Sequence, residues 1–340
     1  MKTEMRVAVA GLGFMGRIHL ACWAGCRGVS VTAACDPDRT AFNAGARKKG
    51  NIRQFAGEPD IENVRFYQSY DGMLETERPD IVSLAVPTFL HADLAVKAIE
   101  SGSHVFCEKP MALSLRQCDR MIDAAEKSGK ELMVGHCIRF WPEYRWLKGV
   151  LFGGEYGRVL TARFSRLSAA PAWSSGGWLA NTAQSGGMAL DLHIHDSDFV
   201  QYTFGMPAAV SSHAVTIGGR MDHIDTRYIY DDERLITAEG SWLASPSFNF
   251  RMGFSVLMEG ASAVYDCSRG PALTVYPRQG HRFQPKLEGG DGYRREIEYF
   301  AAVVSGRAIE RAITPRQSRE SVRIVTAETE SAASGKVVRI

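Results

Sequence analysis

Short continuous apolar runs alternate with helical spacing through the first third of the chain. Residues 6–10, 29–35, 64–67, 81–86, 104–107 and 131–137 read as strands. Residues 17–26, 39–49, 70–77, 91–101 and 114–128 read as helices, and the polar stretch 50–63 as loop. Gly102 and Gly129 are stop signals, and Ser114 is an N-cap. Apolar strands separated by helices predict a parallel sheet covered on both faces, hence a doubly wound α/β domain over 1–135.

The texture changes after residue 136. Helical spacing over 142–152 leads to a strand at 158–167. A Ser-, Gly-, Ala- and Trp-rich loop follows at 168–185, and then a helix over 186–204. Several alternating β segments fill 208–276, with turn signals at Asp231-Asp232 and Glu259-Gly260. Helices are expected over 293–304 and 316–334. Long strands without intervening helices argue an antiparallel sheet, so 136–340 is expected to be an α+β domain on a large, open, mainly antiparallel sheet.

Composition changes this picture little. The 340 residues are 45% hydrophobic and 23% charged, which excludes a disordered chain. Forty Lys plus Arg against 38 Asp plus Glu leave a net charge of +2, and no basic tract points to nucleic acid or a membrane surface. The most apolar stretch, 81–99, is interrupted by Pro87, His91 and Asp93, so no transmembrane helix is expected. Seven scattered cysteines without a CxxC do not form a disulfide framework. Together with the absence of a signal-peptide pattern, they lead to the expectation of a cytoplasmic protein.

Gly11-Leu12-Gly13-Phe14-Met15-Gly16 fits GxGxxG between a predicted strand and a predicted helix. The first glycine permits the turn, the second lets backbone approach a pyrophosphate, and the third lets helix and strand pack. Asp36 ends the second strand, where a carboxylate accepts hydrogen bonds from both ribose hydroxyls and repels a 2′-phosphate. NAD is therefore the expected cofactor, while nearby Arg39 leaves NADP open.

Glu108-Lys109-Pro110 closes a predicted strand, at the end where open parallel sheets bind ligands. Asp191 and His195 are four residues apart, so a helix places them on one face, with His193 well round from them. A carboxylate beside a histidine can bind an alcohol and remove its proton. The same pair reads equally as a surface ion pair. No second cluster has metal-ligand spacing, so no metal is expected.

These segments together resemble the Gfo/Idh/MocA oxidoreductases. The markers are 11–16, then Pro87-Thr88-Phe89-Leu90-His91, then 102–110, Arg139-Phe140, 191–196 and 293–300. The resemblance implies an N-terminal Rossmann domain, a C-terminal sheet that packs against another subunit as a homodimer or homotetramer, and NAD(P)-dependent oxidation of a hydroxyl on a sugar, cyclitol or sugar derivative. It implies that Lys109 contacts nicotinamide and substrate, that Asp191 orients the substrate, and that His195 accepts the proton. Pro87, Thr88, His91 and Glu108 take cofactor-lining positions, and Arg139 a substrate-side one. Many members have glycine where this chain has His193, which is expected to line the sugar pocket or a neighbouring contact. The stretch from Trp173 to Trp178 is a possible substrate wall, Trp178 above all. The rival readings are a redox-neutral NAD-dependent glycoside hydrolase or eliminase and a non-catalytic NAD-binding sensor.

Overall fold

A computed structural model describes residues 4–42, 62–172, 174–308 and 310–340. Most of the helix expected over 39–49, most of the loop 50–63, and Trp173 lie outside the described residues. In chain order the elements begin β1 (Met5–Ala10), α1 (Phe14–Ala24), β2 (Val29–Cys35), β3 (Arg65–Tyr67), α2 (Tyr70–Glu77), β4 (Ile81–Leu84), α3 (His91–Glu100), β5 (His104–Glu108), α4 (Leu115–Ser128) and β6 (Leu132–Gly135). Then come α5 (Pro142–Gly153), β7 (Val159–Ala169), α6 (Thr182–Ser185), a π turn (Ala189–His193), α7 (Ile194–Phe204), β8 (Ala209–Ile217), β9 (Arg220–Ile229) and β10 (Leu235–Ala244). The chain closes with β11 (Arg251–Met258), β12 (Ala261–Asp266), β13 (Leu273–Pro277), α8 (Gly292–Val304), α9 (Pro315–Ser334) and β14 (Val338–Arg339).

Two compact units form. One holds the described residues up to Cys137 together with those of 174–185 and 291–319; the other holds 138–172, 186–290 and 320–340. Each is therefore assembled from three stretches of chain.

In the first unit six parallel strands run in the order β3-β2-β1-β4-β5-β6. The apolar runs are continuous because both faces are covered: all four residues of β4 and all four of β6 are buried. The order reverses at β1, which pairs with β2 on one side and β4 on the other. At such a switch point the strand ends splay and leave a crevice for ligand. The Ser114 side chain accepts the Gln117 N–H, and Gly129 ends α4 in the left-handed region, as the sequence predicts. α8 packs on this unit, with Phe300 against Trp23 and Phe106 at ring centroid distances of 6.5 and 5.7 Å.

The second unit carries an eight-stranded sheet in the order β13-β12-β11-β7-β10-β9-β8-β14. It is antiparallel except where β7 and β10 run parallel, so the sheet is mixed. Alternation along β7 divides its faces. Ala162, Phe164 and Arg166 are buried, while Arg163 is exposed. On the buried face Phe164 and Phe254 meet Phe199 of α7 and Tyr144 of α5 in edge-on aromatic contacts. The opposite face holds the Arg163–Glu239 and Arg163–Asp225 ion pairs and the exposed side chains of Leu235 and Leu257.

The seven cysteines are free thiols, six of them buried. Burial pushes the Cys35 thiol up to about 11 and that of Cys118 up to about 12. No helix of the described residues is long and apolar enough to cross a membrane.

Candidate active site

The glycine turn follows β1 at the switch point. Gly11 has φ +86°, and a Cβ there would run into the Ala85 carbonyl oxygen; a Cβ on Gly16 would run into that of Gly11. Gly13 differs, because a Cβ there would meet no atom of the described residues within 4 Å. The protein's own packing therefore does not require glycine at 13, whereas close approach of a phosphate does. α1 begins there with no side-chain cap and no acidic residue in its first turn, which leaves its N–H groups and positive dipole end to an anion. Phe14 and Met15, half-buried, form that first turn. Asp36 completes the nucleotide side. Its Oδ2 accepts the Leu12 N–H at 2.8 Å and its Oδ1 the Asp38 N–H at 2.9 Å, which fixes the carboxylate beside the turn with lone pairs to spare. Arg39 is exposed, with its guanidinium 5.6 Å from the Phe66 ring centre.

Lys109 follows the carboxyl end of β5 and is half-exposed, and its peptide bond to Pro110 is cis. A chain of buried polar groups supports it. Trp23 Nε1–H donates to Ser83 Oγ at 2.9 Å, and His19 Nδ1 lies 2.9 Å from the same oxygen. His19 Nε2 stands 2.9 Å from Glu108 Oε1, and the Lys109 backbone N–H donates to Glu108 Oε2 at 3.2 Å. Burial pushes the Glu108 carboxyl up, but the hydrogen bond and charge of His19, with Lys109 and His91, hold it below its ordinary value. A carboxylate only accepts, so Nε2 of His19 carries its proton toward Glu108. Close by is Glu296 of α8. It is fully buried, with no hydrogen-bond partner on either oxygen among the described residues, and burial with the charges of Glu108 and Asp291 holds its carboxyl well above the usual range. The two neighbouring carboxyls are thus pushed in opposite directions, Glu296 up and Glu108 down. None of His19, Ser83 or Glu296 stands out in the sequence as chemical, because their partners are 60 to 89 residues away or in α8.

In the second unit, Asp191 and His195 are half-exposed, whereas Leu192, His193, Ile194 and 196–200 are buried. Asp191 lies in the π turn and His195 just beyond it in α7, and these two keep accessible surface while their neighbours are buried. π turns occur frequently at functional sites.

Four residues read as cofactor or substrate contacts are turned inward instead. Glu108 spends its carboxylate on His19 and the Lys109 N–H. His91 is 1% exposed, with Nδ1 2.8 Å from the Pro110 carbonyl and Nε2 2.9 Å from that of Val86. It straps the Pro87 turn to the Lys109–Pro110 turn, and burial holds its imidazole below the ordinary value despite those carbonyls. The Arg139 guanidinium is fully buried, in a two-pronged pair with Asp198 at 2.8 and 2.7 Å and 4.5 Å from the Tyr202 ring centre. His193 is fully buried, its Nε2 3.5 Å from Glu328 Oε2. Glu108 keeps 9% of its side chain exposed, and the other three have almost none. Pro87 is half-exposed and Thr88 buried, at the head of a short 3₁₀ turn after β4. Trp178 is half-buried in a 3₁₀ segment, Ser175–Ala180, which belongs to the first unit. No group of three metal-ligating side chains occurs among the described residues.

The oxidoreductase-family NAD-binding Rossmann domain of the Gfo/Idh/MocA group matches residues 5–136, and the Gfo/Idh/MocA C-terminal domain matches 144–264. The chain belongs to this family and carries its NAD-binding domain. It is 31% identical to the scyllo-inositol 2-dehydrogenase (NAD(+)) of Bacillus subtilis (strain 168), over 89% of this chain and 87% of that protein. It is 30% identical to the 2,7-anhydro-N-acetylneuraminate hydratase of Mediterraneibacter gnavus, over 90% of this chain and 80% of that protein. A third relative, the D-glucoside 3-dehydrogenase of Escherichia coli (strain K12), is 31% identical over 62% of this chain, and the match spans 57% of that protein.

Proposed function

We propose that the protein is an NAD-dependent dehydrogenase that oxidises a ring hydroxyl of a sugar, cyclitol or sugar derivative. The carrying observation is that Asp191 and His195 stay half-exposed in a stretch whose other side chains from 192 to 200 are buried. Bound NAD supplies the carbon that accepts the hydride. His195 accepts the hydroxyl proton as the C–H bond breaks. Asp191 holds that ring or a neighbouring hydroxyl in place. Lys109 stabilises the developing negative oxygen by its charge, and His19 with Glu108 fixes the backbone from which it projects. Asp36, fixed by two backbone N–H groups, favours NAD over NADP. Trp178 remains the candidate substrate wall. We further propose a homodimer or homotetramer through the open sheet face, where Leu235, Thr161, Leu257, Ser262 and Tyr276 lie in register across five strands.

The test is reduced-nicotinamide formation with NAD and NADP in parallel, across aldoses, inositols, anhydrosugars and glycosides. His195→Ala should lower kcat about a hundredfold and leave NAD affinity within about twofold. Full turnover by that variant ends the base assignment. A second reading, redox-neutral chemistry with NAD regenerated in each cycle, draws on the hydratase relative. Product formation without net reduced nicotinamide would select it.

A further inference from the structure

The chain puts a histidine between its two half-exposed candidate reacting residues, and the structure buries that histidine completely. Three other parts of the second unit are shaped around its ring. From β10 comes Gly240, where a Cβ would stand 2.9 Å from His193 Cβ and 3.0 Å from its Nδ1. Glycine in the middle of a strand weakens it, and here it marks the close approach of another group. From α9 comes Glu328, fully buried, with Oε2 3.5 Å from His193 Nε2. From α7 comes Ser197, whose Oγ is 3.1 Å from both Glu328 oxygens and accepts the Tyr228 hydroxyl at 3.2 Å. Just before His193 in the chain, Met188 and Leu192 sit in an apolar cluster with Ile224 and Trp242.

The turn that carries this ring is the π turn, 189–193. Relaxing it to α-helical winding would rotate every residue on one side of it relative to the other. His193 would then leave both the Gly240 floor and the Glu328 carboxylate, and a buried carboxylate would lose its counter-charge. The ring thus opposes rewinding in two independent ways, by shape and by charge. Asp191 precedes the ring by two residues, and His195 follows it by two.

We propose that His193, Gly240 and Glu328 form a lock that holds the π turn and so sets the relative aim of Asp191 and His195. They are positioning residues, and none of them meets substrate. The inference rests on the reading of Asp191 and His195 as the reacting pair.

The test uses the full chain with NAD bound, labelled with [15N]histidine. The His195 ring signals are assigned by their loss in His195→Gln. Gly240→Ala should displace the His195 signals, and Gly240→Ala combined with His193→Gly, which removes the Cβ that the new methyl would meet at 2.9 Å, should return them toward wild type. Glu328→Gln, close to isosteric, should also move them, but not when His193 is already alanine. On a panel substrate that turns over, Gly240→Ala should lower kcat at least about tenfold with KM and NAD affinity little changed, and the double variant should recover most of that loss. A merely structural role would lower stability without this split or this rescue. His195 signals unchanged in Gly240→Ala and Glu328→Gln would overturn the lock, as would equal effects of Glu328→Gln with and without His193. Should Gly240→Ala fail to fold, the Glu328→Gln and His193→Ala cycle carries the same decision. Full turnover by His195→Ala with coupled His195 signals would remove the chemical reading and leave the lock standing.

Discussion

Glu296 is a carboxyl whose ionisation its surroundings oppose. Its folded-state value lies above the unfolded one, so the native protein binds the proton more tightly, and stability falls as pH rises above about 4.5. Glu296→Gln keeps the shape and removes the ionisation. It should raise Tm at neutral pH by at least roughly 2 °C, with a gain that grows with pH, read by thermal scans of both proteins. Equal Tm values at every pH would mean that Glu296 finds a partner in solution. His193 adds to the same pH dependence, through a stabilising charge. Burial lowers its imidazole, and the charges of Glu328, Asp196 and Asp225 more than reverse this, so its folded value stands above the ordinary one. Arg166, paired with Asp196 at 2.7 Å, is the opposing cation nearby. The stabilisation is complete below about pH 6.5 and is lost as pH rises through the folded value. The Tm gap between wild type and His193→Gln should therefore narrow between about pH 6 and pH 9.

At the scale of elements, the strands and helices around the nucleotide turn were legible because both faces of β1, β4, β5 and β6 are covered, and covered strands read as unbroken apolar runs. GxGxxG was legible for a related reason, since two of its glycines answer steric demands inside one strand–turn–helix. The π turn was not legible. Its one-residue difference from α-helical winding leaves no compositional trace, and it is held by Gly240 and Glu328, 47 and 135 residues away along the chain. The parallel pairing of β7 with β10 is hidden likewise, because alternation specifies which face a residue takes but not which strand lies beside it. Arg139, His91 and Glu108 show the same limit for function. Their internal partners Asp198, Pro110 and His19 lie 19 to 89 residues away, and no motif spacing points to them.

For the whole molecule, the open face of the large sheet is the proposed subunit contact. The Leu235 and Leu257 side chains are 41% and 44% exposed there, on either side of Thr161. Leu257→Lys should shift the species seen by sedimentation velocity toward the monomer while leaving NAD affinity within about twofold, since the change is confined to the second unit. An unchanged sedimentation coefficient would move the subunit contact elsewhere. The packing of Phe300 on Trp23 and Phe106 makes a second prediction. A fragment ending at Cys137 should expose that aromatic face, bind a hydrophobic dye, and unfold at lower temperature than the full chain.

The same packing gives the molecule a schedule during its manufacture. A ribosome adds roughly 5–20 residues per second, and about 150 residues separate Cys137 from α8. The first unit's strands thus leave the exit tunnel and wait on the order of 10–30 seconds for the helix that covers them. In that interval Trp23 and Phe106 are open to any passing apolar surface, which makes the nascent chain a natural client for a holding chaperone until Phe300 arrives.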